Sequence, residues 1–149
     1  MPNSSAVPAV MVALKAALAA RAGLAGVQIT LGLPYEPEGD FIALTDVEPS
    51  EQTAAGQRST PHKREESFVL VVEISALRLG DADHTEAIQR AYVLLAELED
   101  ELRTDLTIDN SIVNGWAVME GVPMNTIGPG GEGRREALIR ARVRCRARI

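Results

Sequence analysis

Five arginines at alternate positions, Arg140, Arg142, Arg144, Arg146 and Arg148, are the side chains of this sequence best spaced to act together. Interleaved with them stand Ala137, Ile139, Ala141, Val143, Cys145, Ala147 and Ile149. This period of two predicts a long strand over Glu136–Ile149, arginines on one face and apolar groups on the other. Same-face residues of a strand are about 6.8 Å apart. Guanidinium groups at that spacing repel one another unless anions intervene, and each offers a fork of N–H donors that fits a carboxylate or phosphate. Acidic residues nearby in sequence are too few to neutralise the row. Three sources of anion are open. Carboxylates from elsewhere in the fold would make the row a solvated outer face. Carboxylates of another subunit or a partner would make it an interface. Phosphates would make it a DNA contact, although the segment lacks the aromatics or recognition helix that DNA readers add.

Other reactive residues do not assemble into a catalytic set. Cys145 is the only cysteine, so no intrachain disulfide can form, and it falls on the apolar face expected of an inert core thiol. His62 and His84 have no ligand-spaced His or Cys neighbours, which argues against a transition-metal site. Asp81 and Asp83 precede a helix and suit capping better than acid–base work. Gly128-Pro129-Gly130-Gly131-Glu132-Gly133 spells G-x-G-x-x-G, but a dinucleotide fingerprint needs a strand before it and a helix after it, and here an alternating strand follows. The sequence therefore predicts a hairpin loop at this point, no cofactor and no enzymatic activity.

The elements that must hold the arginine strand follow from periodicity. Val7, Val10, Met11, Leu14 and Leu18 predict a helix from Val7 to Ala22, with Ser4 and Ser5 as caps and Pro8 in its first turn. Its remaining faces are mostly alanine, which leaves open a helix packed on one side or on both. Strands are expected over Val27–Leu31 and Phe41–Val47, the latter with Phe41, Ala43 and Thr45 alternating against Ile42, Leu44 and Asp46. Residues 48–63 are polar and predict a mobile loop. Glu66–Leu77 reads as a central strand, with Phe68, Leu70, Val72, Ile74 and Ala76 on one face and Val69, Val71, Glu73 and Ser75 on the other. A helix over Asp83–Arg103 carries Ile88, Ala91, Tyr92, Leu95, Leu98 and Leu102 as its apolar stripe, and Asp83 with Glu86 as a capping box. Ile112–Val122 is expected as a strand and Pro123–Gly133 as a loop. The result is one α+β domain over residues 1–149. It has a mostly antiparallel sheet of four or five strands, two helices on one face, and the order α-β-β-β-α-β-β.

Charge is unevenly spread over these elements. The 149 residues carry a net charge of -6, yet the segment from Arg134 onward holds seven arginines against Glu136, or +6, leaving -12 on the rest. An acidic bulk argues against general nucleic-acid binding. The first residues lack the positive charge of a signal peptide, and no run of about 18 apolar residues exists to span a membrane. A chain folded in a reducing cytoplasm is expected.

The layout resembles a known family. An Ala/Leu-rich helix ends in Ala22-Gly23-Leu24-Ala25-Gly26 and leads into a short strand and a proline-containing turn. Then follow Glu66-Ser67-Phe68-Val69-Leu70-Val71-Val72-Glu73-Ile74, an acidic helix with Ala91-Tyr92-Val93-Leu94-Leu95, and the final Ala141-Arg142-Val143-Arg144-Cys145-Arg146-Ala147-Arg148-Ile149. This is similar to the tail terminator, or tail completion, proteins of long-tailed bacteriophages. The resemblance implies a structural protein of the virion tail or neck, assembled in the host cytoplasm. It implies a ring, typically a hexamer, that caps the tail tube, stops tube polymerisation and presents a joining surface to the head connector. Its partners would be its own copies, the tube protein and the connector, with genome DNA passing through the lumen without sequence-specific binding. No cofactor and no motif-level binding residue is implied. Another head–tail joining or neck protein, or a nucleic-acid module using the arginine strand, are the competing readings.

Overall fold

A computed structural model describes residues 5–54, 64–79, 84–112, 114–121, 123–130 and 133–149. Helix α1 spans Val7–Ala19 and a single 3₁₀ turn follows at Ala22–Leu24. Then come β1 (Gln28–Leu31), β2 (Phe41–Ala54), β3 (Arg64–Leu79), α2 (Thr85–Thr104), β4 (Trp116–Met119), β5 (Met124–Pro129) and β6 (Arg134–Arg148). This is the expected α+β class, with six strands because the glycine-rich approach to β6 is itself a strand, β5, and not a loop. Ser4, His62, Asp81, Asp83 and residues 55–63 lie outside the described residues.

The six strands form one sheet in the order β1-β2-β3-β6-β4, and β5 pairs with β6 on the same side as β4. All pairings are antiparallel except β1 with β2. Parallel neighbours usually need a long crossover. Here β1 has only four residues, so the short connection 32–40 can retrace its length without a helix. Along the far edge of β6, β4 and β5 read as one strand broken between Glu120 and Met124. Gly121 takes the left-handed conformation at the break, with φ 68°.

Both helices lie on one face. Val10, Leu14 and Leu18 of α1 and Ala87, Ala91, Leu94, Leu95, Leu98 and Leu102 of α2 join a single core with alternate residues of the sheet. Those include Ile42 and Leu44 of β2, Phe68 through Ala76 of β3, and Ala137 through Ala147 of β6. Tyr92, expected in the α2 stripe, is instead exposed, and Ala87 and Leu94 take up the buried angle. On the second side of α1, Val12, Ala16, Ala19 and Ala20 are exposed.

The capping differs from expectation in an instructive way. Neither helix is capped by its own N-cap side chain. At α1 the expected Ser5 takes part, its Oγ accepting from the Val7 N–H at 3.1 Å, and the buried Glu66 of β3 completes the cap: it accepts from Ser5 Oγ at 2.7 Å and from the Ala6 N–H at 2.7 Å. A carboxylate there satisfies orphan donors and faces the positive end of the helix dipole. At α2 the N-cap position falls on His84, in the left-handed conformation, and Asp83 of the expected capping box lies outside the described residues.

The boundary of the polar segment after Val47 also moves. β2 runs on to Ala54 and β3 starts at Arg64, so residues 48–54, expected in a loop, are paired strand. An antiparallel ladder needs backbone partners and not large apolar side chains. Pro49 sits at a register shift between Glu48 and Glu51, where its missing N–H costs no ladder bond.

Candidate functional site

The arginine row occupies the sheet face opposite the helices. In β6, Ala137, Ile139, Ala141, Val143, Cys145 and Ala147 are buried while Arg140, Arg142, Arg144 and Arg146 are exposed, as the alternation predicts. What neutralises them comes from β2, β3 and the residue that follows β4. Arg142 pairs with Glu48 of β2, and its Nη2 lies 3.2 Å from Glu120, just beyond β4. Arg144 bonds the other oxygen of Glu120. Arg146 reaches Glu65 of β3 at 2.6 Å, and Arg140 faces Asp46 of β2 at 3.8 Å. Arg148, opposite Glu65 in the β3–β6 ladder, is half-buried with its Nε unpartnered among the described residues. Hydrogen bonding, first to Glu48, raises the Arg142 pKa further.

This arrangement depends on two irregularities that strict alternation does not reveal. β2 slips by one residue at Thr45, so that Leu44 pairs with Val72 but Asp46 pairs with Val71. Without the bulge Asp46 would point at the core beside Leu44; with it, Asp46 and then Glu48 stand on the arginine face. The second slip falls between Glu48 and Glu51, so that Glu51 pairs with Ser67 in the ladder. Acidic residues distant in sequence are thus brought to the arginines by register, and the first of the three anion sources is the one the fold supplies. Val71 is buried on this face although no helix covers it. It lies in register between Asp46 and Arg142, where long arginine stems can shield apolar surface while their heads stay wet.

The remaining candidates stand apart from this face. Cys145 is fully buried, and burial pushes its thiol up to about 12. His84 Nε2 lies 3.1 Å from the Gly128 carbonyl oxygen and so ties the start of α2 to β5. Gly128 and Pro129 end β5, and Gly130 donates to the Arg134 carbonyl at 3.0 Å, so the glycine-rich segment is a hairpin between two strands. No group of three or more His, Cys, Asp or Glu is placed to hold a metal ion among the described residues.

Large apolar side chains stand in solvent at both ends of the sheet, as Val12, Val47, Leu79, Tyr92 and Val93 do elsewhere. At the end of β1 and just past it stand Leu31, Leu33 at 62% exposure and Tyr35 at 98%. On the β4–β5 side stand Val118, Ile127 and Met124 at 64%. An apolar pocket of about 220 Å³ opens between the C-terminal turn of α2 and β4, lined by Leu102, Leu106, Ala117, Val118 and Met119 with Glu99 and Arg103.

The geometry defines a class: an α+β domain with a one-sided helical layer, a charge-paired outer sheet face and two apolar sheet ends. No known protein family matches the sequence, and no curated protein does. Among solved structures, a chain from the "Virion of native gene transfer agent (GTA) particle" superposes with a TM-score of 0.47 at 15% identity, covering 97% of this chain and 100% of that one.

Proposed function

We propose that this chain is a structural protein of a phage-like virion, a tail terminator whose copies close into a ring, six in the family it resembles. The ring caps the tail tube, ends tube polymerisation and offers the joining surface to the head connector. DNA passes through its lumen, and the protein works in the tail or neck after assembly in the host cytoplasm. It performs no catalysis and needs no cofactor. The observation that carries the reading is the pair of apolar sheet ends. A ring repeats one heterologous contact, which requires two different sticky surfaces on each copy. Leu31, Leu33 and Tyr35 at one end, with Met124 and Ile127 at the other, meet that requirement.

The outer face supplies the second surface such a protein needs. Arg140, Arg142, Arg144, Arg146 and Arg148 are assigned to contact with a neighbouring subunit or partner. Each guanidinium has five donors, and the intrachain pairs use only some of them. The test is to mix purified protein with tail tubes and image the products in negative stain. Annuli at tube ends and tubes of fixed length are expected. Attachment to filled heads alone would favour a neck protein instead, and failure to bind either particle would overturn the reading.

A further inference from the structure

The two sheet ends are complementary in more than hydrophobicity. Among the described strands, β1 and β5 are outermost at one level of the sheet. Following the pairing across the strands, Gln28 is level with Phe41, Ser75, Leu138 and Thr126. Thr30 is level with Ala43, Glu73, Arg140 and Met124. β4, in contrast, is level with Val143–Arg146, beyond the reach of β1. The outermost segments are also free of charge: none occurs in Gln28–Tyr35 or in Met124–Pro129, although 24% of the chain is charged. Soluble proteins protect open edges with lysines, inward charges or coverage, because unpaired N–H and C=O groups invite another strand. These two level edges carry no charge and no covering strand among the described residues; their protection is limited to the shortness of β1 and to Pro129 at the end of β5.

We propose that β5 of one copy pairs with β1 of the next, so that the sheet continues from subunit to subunit. The partner is a second copy of this chain, since its own far edge supplies the matching strand, and charge neutrality on both sides lets the junction be buried without stranding an ion. Strand direction agrees. β1 runs with β2, antiparallel to β3; β6 runs with β2, and β5 runs against β6. A head-to-tail continuation therefore sets β5 antiparallel to the next β1, with the helix face meeting helix face. Straight continuation places Met124 opposite Thr30 and Thr126 opposite Gln28. Leu33 and Tyr35, just past β1, then cover apolar surface around β5. This inference rests on the ring reading and specifies its subunit contact.

The test uses the burial of the only native cysteine, Cys145. Full-length protein carrying Thr30→Cys and Met124→Cys is treated with a short bismaleimide and run on a denaturing gel. A ladder extending beyond dimers is expected only when both cysteines are present. Met124→Lys with Ile127→Lys, both at exposed positions, should leave the circular dichroism unchanged and weaken self-association about 30-fold or more. Rings that form normally, give no ladder and ignore the lysines would overturn the β5–β1 junction while leaving the ring intact. A chain that stays monomeric at every concentration and binds no tube end would overturn the ring reading and this junction with it.

Discussion

Replacing Asp40 by Asn should destabilise the fold by about 2–3 kcal/mol, and the deficit should vanish in acid. Asp40 immediately precedes β2, and its carboxylate gathers the end of β3 and the first half of α2. It accepts from Arg78 Nη1 at 2.8 Å and Nη2 at 3.3 Å, from Arg90 Nε at 2.9 Å, and from the Leu77 N–H at 3.3 Å. Hydrogen bonds to a charged group contribute about 1.5–3 kcal/mol each. Both arginines are more than a quarter exposed, whereas the Asp40 side chain is only 12% exposed, so water replaces part of what is lost and the sum is discounted accordingly. For a chain of this size the thermal midpoint should fall by about 5–10 °C. Burial alone would raise the Asp40 pKa, but the hydrogen bonds from Arg78 and Arg90 outweigh it and hold the group below its ordinary value. A folded pKa below the unfolded one stabilises the protein above the unfolded pKa, about 3.9, and loses that contribution as pH falls through the folded value. Urea titrations of both proteins should therefore differ equally at pH 7 and pH 5, with the gap closing below about pH 4. A difference under about 0.5 kcal/mol at pH 7, or a gap that persists undiminished in acid, would refute the role given to this cluster.

Three further outcomes follow from the geometry. Glu66→Ala removes the carboxylate that accepts from Ser5 and Ala6 at the start of α1 and should cost about 1–3 kcal/mol in a urea titration, with faster amide exchange in the first turn; unchanged exchange there would disprove the capping role. Gly115→Ala would place a Cβ 1.7 Å from the Arg146 carbonyl oxygen, so β4 must leave β6, and a loss above about 3 kcal/mol or failure to fold is expected; a well-folded variant of normal stability contradicts the close approach. Arg142→Glu with Arg144→Glu should leave retention on DNA near background at all salt concentrations, as in the parent protein; strongly salt-dependent retention of the parent, lost in the variant, would instead revive the nucleic-acid reading.

Most of the architecture was legible because it rests on periods. β6 alternates without a flaw from Ala137 to Ala147, and β3 nearly so, because each buries one row of side chains against the helices. The elements that misled are those whose placement depends on backbone pairing. Met124–Pro129 has exposed side chains at nearly every position and contains a glycine and a proline, so nothing in its composition signals a strand. Its partner is the edge of β6, and only the three-dimensional register reveals that. Residues 48–54 lack large apolar groups for the same reason. The helix cap by Glu66 was equally hidden, since it joins residues 60 apart in the chain.

The same limit explains why the arginine row was ambiguous and what its partners now imply. Alternation places five like charges on one face but says nothing of the opposite face of β2, whose phase is reversed by the bulge at Thr45. Once Asp46, Glu48, Glu65 and Glu120 are counted against Arg140, Arg142, Arg144 and Arg146, these four cations meet four anions. A polyanion approaching such a face must first displace carboxylates, which removes the long-range attraction that drives DNA binding. A protein surface patterned with both signs pays no such penalty, because it can exchange one exposed pair for another of similar strength. Exposed pairs contribute little affinity but reject a partner shifted by one residue, which would bring like charges together. In the proposed ring the uncharged edges would hold copies together, and the charge-paired face would decide in what register a neighbour sits.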